Sequence, residues 1–218
     1  MPLLLESANE TMRYAVWQLT ENASFFEQAL PSVFLVENEE YAAITHAARK
    51  LEWLAGRFLW YKMTGEPSNF SIKKNDFGKP YAPNTAFFHS ISHSGAFVAW
   101  VEARTSCGID IQVPKPAINR IADRIMHESD WQELQTYNQN EQTNEHTRPL
   151  DASLFWSAKE AVFKAWGIGG LAGKNIRIRH VSIKNRASAS IFSQEKIIEN
   201  YTIFYTKNDD FTLTIALK

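Results

Sequence analysis

Apolar residues at Ala43, Ala47, Leu51, Leu54, Phe58 and Tyr61 recur at helical spacing through Glu39–Met63, a stretch with no proline and one glycine. That pattern predicts one helix, ended by Gly65 and Pro67. A second helical pattern runs from Ile118 to Leu134, broken near His127, and a third from Leu154 to Trp166, capped by Asp151 or Ser153 and closed by Gly167. A short helix fits before Pro31. Elsewhere the chain reads as strands: Arg13–Leu19, Phe87–Ser92, Ala96–Ala103 after a His93-Ser94-Gly95 turn, Gly108–Val113, Ile176–Ile183, Ala187–Phe192, Tyr201–Tyr205 and Phe211–Leu217. The amide-rich stretch 136–149 has no hydrophobic period and reads as a loop. Hairpin-connected strands interrupted by helices, without a βαβ repeat or a glycine-rich nucleotide fingerprint, predict an α+β fold with mainly antiparallel sheets.

Composition narrows the function classes. Of 218 residues, 44% are hydrophobic, enough for one large domain or two small ones. The formal net charge of −1 gives no general pull toward nucleic acid or an anionic membrane, so any anion site must be local. The Leu3-Leu4-Leu5 run is too short for a signal sequence and nothing approaches a membrane span. One cysteine, Cys107, excludes an internal disulfide and a cysteine metal cluster. These features predict a soluble cytoplasmic protein.

Three segments carry candidate chemistry. In Gly108-Ile109-Asp110-Ile111-Gln112, strand alternation puts Ile109 and Ile111 toward a core and Asp110 and Gln112 together on the other side. An ordinary amphipathic edge strand reads equally well. On the helix of Phe155-Trp156-Ser157-Ala158-Lys159-Glu160-Ala161-Val162-Phe163-Lys164, residues Phe155, Ala158, Val162, Ala165 and Trp166 form an apolar stripe, with Glu160 and Lys164 one turn apart opposite it. A solvated Glu–Lys pair is the plain reading. Against it, Lys159 lies beside the stripe, where it needs a partner, and Trp156 and Phe163 flank the pair as if walling a cleft. A hard cation takes oxygen ligands, which Asp110 and Glu160 supply, and a phosphoryl group in transfer needs a nearby cation such as Lys164. The third segment, Gly78-Lys79-Pro80 followed by Ile91-Ser92-His93-Ser94-Gly95, reads as a turn and a hydrogen-bonded corner, or as a phosphate site built from hydroxyl, imidazole and N–H groups.

Gly-Lys-Pro, Ile-Ser-His-Ser, Gly-Ile-Asp-Ile and Trp-Ser-x-Lys-Glu-Ala-x-x-Lys, in this order, resemble the motif series of the 4′-phosphopantetheinyl transferases, in the two-halved, monomeric type associated with surfactin synthetase. The resemblance covers residues 45–175 in scattered blocks. It implies two similar α+β halves, 1–104 and 105–218, related by a pseudo-twofold axis, with the active site between them and the metal and catalytic motifs in the second. It implies a magnesium enzyme that moves the phosphopantetheine arm of coenzyme A to an acyl or peptidyl carrier protein and releases 3′,5′-ADP. Asp110 and Glu160 would bind Mg²⁺, with Gln112 a weaker or water-mediated ligand, and Glu160 and Lys164 would be catalytic. Lys159, Lys164, Ser92, His93, Gly78, Lys79, Pro80, Arg49 and Arg57 would contact coenzyme A, although at least one of the two arginines reads equally as a surface residue of an amphipathic helix.

Two departures stand out: many members have Glu where this chain has Gln112, and Ser90 replaces a common Asn. Because carrier proteins are acidic near the modified serine, Lys174, Arg177, Arg179 and His180 are the expected carrier-binding run, with Arg120 and Arg124 as additions; a plain exposed face is the alternative. Three rival readings remain: a coenzyme A-binding protein without transferase activity, a non-enzymatic scaffold, and an unrelated metal phosphohydrolase, which needs more carboxylates or histidines than these segments offer.

Overall fold

The computed structural model describes residues 3–32, 39–65, 72–83, 85–114, 117–140, 151–182 and 184–218. It divides into two compact units, Met1–Arg104 and Thr105–Lys218.

In the first unit, β1 (Leu3–Ala8), β2 (Met12–Gln18), β5 (Phe88–Ser94) and β6 (Phe97–Ala103) form an antiparallel sheet in the order β1-β2-β6-β5. Helices α1 (Ala23–Ala29) and α3 (Ala47–Thr64) pack together, and α3 lies on the sheet. Their shared core is aromatic: Trp17, Phe26, Trp53, Trp60 and Trp100 are all buried. The helical pattern of Glu39–Met63 divides into α2 (Glu39–Ala43) and α3. Ile44 N–H closes a tight turn on the Tyr41 carbonyl, and His46 is extended as the N-cap of α3. Gly65 ends α3 in the left-handed conformation; Pro67 lies outside the described residues. The short strands β3 (Lys73–Lys74) and β4 (Pro80–Tyr81) form a hairpin. Strand β5 continues through His93 and Ser94, so the turn sits at Gly95-Ala96 rather than at His93-Ser94-Gly95.

In the second unit, β7 (Cys107–Gln112), β8 (Ile176–Ser182), β9 (Arg186–Ser193), β10 (Lys196–Lys207) and β11 (Thr212–Leu217) form an antiparallel sheet in the order β7-β11-β10-β9-β8. Helix α6 (Ala152–Trp166) lies along β7 and β11, α4 (Ala117–Ile125) packs on α6, and α5 (Glu128–Asn140) on β8. Asp151 caps α6 by accepting from Ser153 N–H, and Gly167 ends it at φ 65°. Helix α5 takes in residues 136–140 of the expected loop, with Tyr137 packed against the core; residues 141–149 lie outside the described residues. The edge strand β8 is covered by side chains: Ile178 N–H donates to Asp130 and Val181 N–H to Glu133, both at 2.8 Å. A carboxylate on these two donors keeps them from pairing with a further strand. The fold is α+β with antiparallel sheets, and among the described residues no helix is long and apolar enough to cross a membrane.

Candidate active site

Strand β7 and helix α6 meet at Gly108. A Cβ there would stand 2.0 Å from the Ala161 carbonyl oxygen, so the backbones of strand and helix touch. Alternation then turns Asp110, two residues on, toward the same helix. This reverses part of the expectation: Ile109 and Ile111 are buried, but on the sheet face away from α6, and the polar side faces the unit's own helix layer. Asp110 is buried too, at 5% exposure, so the open edge-strand reading fails.

Three α6 residues converge on that strand. Lys164 Nζ donates to Asp110 Oδ1 at 2.7 Å and to the Ile109 carbonyl at 3.0 Å. Ser157, fully buried, donates to Asp110 Oδ2 at 2.9 Å. Glu160 sits close enough to feel Asp110: burial first, then the Asp110 charge, raises its carboxyl pKa, while Lys164 acts in the opposite sense. Two carboxylates in one partly dry place repel each other, and a cation between them relieves the repulsion. The oxygen donors Asp110 and Glu160 therefore fit a hard divalent ion. Gln112 shares the Asp110 face and offers a neutral amide, whose Nε2 donates to the Val113 carbonyl at 3.4 Å. Among the described residues there is no cluster of three His, Cys, Asp or Glu suited to a metal. The flanking aromatics differ from expectation: Trp156 packs against the core, and Phe163 is 41% exposed.

Lys159 has a separate role in the geometry. Its ammonium is buried and meets Asp130 Oδ2 at 2.7 Å, the Gly173 carbonyl at 2.9 Å and the Ile176 carbonyl. Asp130, fully buried, also accepts from His127 N–H at 2.7 Å, which caps α5, and from Ile178 N–H. The partner that Lys159 needs is therefore within the fold, tying α6 to α5 and β8. Burial lowers the Lys159 pKa, and Asp130 opposes that shift.

Within the first unit, α3 aligns two basic groups. Arg49 bonds Glu52 at 3.2 Å and contacts His93 Nε2, while His93 Nδ1 lies 3.3 Å from the same Glu52 oxygen. Arg57, two turns on, is buried; it lies 4.4 Å over the Trp53 ring and bonds Glu40 at 3.3 Å. Glu40 also holds Lys74, at 2.5 Å. Burial brings Arg57 down to about 10. Arg57 is therefore no plain surface residue, whereas Arg49 is exposed on the helix, with 52% of its side chain accessible. Ser92 is buried on β5 beside His93. Gly78-Lys79-Pro80 forms the return of the β3–β4 hairpin; Gly78 has φ 82°, and Asn75 Oδ1 accepts from the N–H groups of Phe77 and Lys79.

The expected carrier-binding run separates. Ile176 and Ile178 point into the core with α6, so Arg177 and Arg179 face the other side of the sheet. Arg177 is buried under Phe192, 3.9 Å from its ring, and paired with Glu195 at 2.6 Å. Lys174 and Arg179 are exposed. Arg179 and His180 line a groove of about 610 Å³ with Ser188, Ser190 and Thr202, on the face opposite Asp110.

An acidic pair with an adjacent ammonium, on an antiparallel α+β unit, is a donor set suited to a hard cation and an anionic substrate together. Comparison with known proteins makes this specific. The family model of the 4′-phosphopantetheinyl transferase superfamily matches residues 106–216, just over half of the chain. A protein named 4′-phosphopantetheinyl transferase gsp, from Aneurinibacillus migulanus, is 29% identical over 199 residues, 89% of this chain and 76% of its own length. A Bacillus subtilis 4′-phosphopantetheinyl transferase is 31% identical over 126 residues, 55% of this chain and 54% of its own. The transferase named Sfp, from Bacillus subtilis strain 168, is 30% identical over 105 residues, 48% and 44% of the two chains. The matched stretch thus spans about half the length of these Bacillus subtilis relatives. The chain belongs to the 4′-phosphopantetheinyl transferase superfamily.

Proposed function

We propose that this chain transfers the 4′-phosphopantetheine moiety of coenzyme A to a serine hydroxyl of an acyl or peptidyl carrier protein, releasing 3′,5′-ADP. The observation that carries the reading is the meeting of Asp110, Glu160 and Lys164 between β7 and α6, inside the stretch that matches the family.

In the proposed step the serine oxygen attacks the β-phosphorus of coenzyme A. A new O–P bond forms, and the bond to the α-phosphate oxygen breaks. Glu160 takes the serine proton; its raised pKa brings it closer to the range in which a carboxylate is an effective base. Lys164 offsets charge on the departing 3′,5′-ADP. Asp110 and Glu160 would hold Mg²⁺, with the Gln112 amide oxygen as a neutral third group. Such an ion, when bound, supplies charge neutralisation at the pyrophosphate. Ser92, His93, Arg49, Arg57 and the Gly78-Lys79-Pro80 hairpin are the proposed contacts for the coenzyme's phosphates and adenine. Lys159, already committed to Asp130, is better assigned to holding α6 than to the coenzyme. For the carrier, exposed Lys174 and Arg179 are stronger candidates than Arg177, whose charge is engaged by Glu195.

The test is to incubate the protein with apo-carrier, coenzyme A and Mg²⁺ and to weigh the carrier by mass spectrometry. A phosphopantetheine-sized gain is expected, with Glu160→Ala slowed by about 10²–10⁴-fold and Asp110→Ala inactive. A wild-type chain that binds coenzyme A yet modifies none of several apo-carriers would favour the rival reading, a binding protein without transferase activity, with Gln112 as its mark.

A further inference from the structure

Thr214 lies on β11 directly across from Asp110 and is fully buried. Its neighbours along the strand, Leu213 and Ile215, are apolar, and a valine would fill the same volume. A hydroxyl buried at such a place costs stability unless it is hydrogen-bonded. Its partner is Ser157 on α6: the two oxygens are 2.9 Å apart, and Ser157 Oγ is also 2.9 Å from Asp110 Oδ2.

Proton counting fixes the direction of this chain. A serine hydroxyl has one hydrogen to give. Ser157 gives it to Asp110 Oδ2, so Thr214 must donate to Ser157. The other carboxylate oxygen, Oδ1, takes the Lys164 ammonium. Asp110 is thus gripped at both oxygens, by Ser157 from one side and Lys164 from the other, and rotation about its Cβ–Cγ bond is blocked. Thr214 in turn sets the Ser157 rotamer, from a strand that holds none of the proposed ligands.

We propose that Thr214 and Ser157 are positioning residues that orient the Asp110 carboxylate to receive a divalent cation together with Glu160. The proposal rests on the functional reading above. Outer partners that orient a carboxylate ligand typically change metal affinity about 10–100-fold when removed.

The experiment measures the dissociation constant of Mn²⁺, by its electron paramagnetic resonance signal, for the full chain with saturating coenzyme A. Wild type, Thr214→Val, Thr214→Ser and Ser157→Ala are compared, with the affinity for coenzyme A alone measured alongside. Thr214→Val keeps the shape and loses the hydroxyl, so Mn²⁺ affinity is expected to fall at least about tenfold. Thr214→Ser restores it, and affinity for coenzyme A without metal stays near wild type. Ser157→Ala is expected to weaken Mn²⁺ binding at least as much, and it decides the matter if Thr214→Val does not fold. Mn²⁺ affinity within twofold of wild type in the folded variants would overturn the inference alone, even with a lowered melting temperature, since the hydroxyls would then only pin helix to sheet. A wild-type chain that binds coenzyme A but takes up no Mn²⁺ would overturn the functional reading, and this inference with it.

Discussion

His89 lies on β5 with its imidazole against the Trp60 ring, centroids 4.2 Å apart, and its Nδ1 is buried without a hydrogen-bond partner. Glu102 faces it on β6 but stands 3.6 Å away, and its carboxylate is already bonded to Arg13. Burial, reinforced by the Arg13 charge, therefore pushes the imidazole pKa down from 6.5 to about 3. The unfolded chain takes up this proton near pH 6.5 and the folded chain refuses it, so stability is full above that pH and is lost as pH falls toward 3. At about 1.4 kcal/mol per unit, some 2 kcal/mol goes between pH 6.5 and pH 5. His89→Phe keeps a ring against Trp60 and removes the titration. Its denaturant stability is expected to change about 2 kcal/mol less than wild type between pH 7 and pH 5; parallel curves would refute the assignment. At this scale the site was half legible. Strand alternation and the four-residue helical step, being local rules, show which faces Asp110, Glu160 and Lys164 occupy, but their meeting is implied only by the motif resemblance. Thr214 left no signal, since its partnership depends on the register between β7 and β11. Ser157 stood inside a recognised motif, but its hydroxyl acquires a purpose only when α6 is laid on the sheet. Lys159 advertised a partner, and Asp130 could be found only from the packing of α5.

Between elements, the close contact of β7 and α6 sets everything at the site. Gly108→Ala would drive a methyl group into the Ala161 carbonyl at 2.0 Å and the Ala165 nitrogen at 2.5 Å. Both are helix backbone atoms and cannot swing aside, so α6 must lift from the strand and carry Glu160 and Lys164 with it. A loss of about 3 kcal/mol or more is expected by denaturant unfolding, together with loss of carrier modification. Gly56→Ala on α3 is the control: its methyl meets side chains rather than backbone, Ile91 at 3.3 Å, which can yield, and Val98 at an ordinary 4.0 Å. Relief of glycine's low helix propensity works in its favour, so its change should stay within about 1 kcal/mol. Equal stability of the two variants would show that the contact is not tight. The helices and most strands were legible here because their periods are long and their stops are strong, with Gly65 and Gly167 both left-handed caps. Strand β1 carries no strand signal of its own: Leu3-Leu4-Leu5 has no alternation, and its place comes from pairing with β2. The break between α2 and α3 was hidden because Thr45 and His46 interrupt a helical pattern without a proline or glycine.

For the molecule, near-neutral charge confines anion recognition to local groups, and the two compact units contain such groups of different kinds. One holds Arg49, Arg57, Lys74 and His93 in carboxylate-bridged clusters, and the other holds the acidic pair with Lys164. The division of labour proposed for them, coenzyme contacts in the first and chemistry in the second, stands or falls with the acidic pair. Crystals of the full chain grown with coenzyme A and Mn²⁺, measured at a wavelength where manganese scatters anomalously, test that directly. The account predicts an anomalous peak within ligand distance of carboxylate oxygens from both Asp110 and Glu160. Manganese bound elsewhere, with those two side chains untouched, would contradict it.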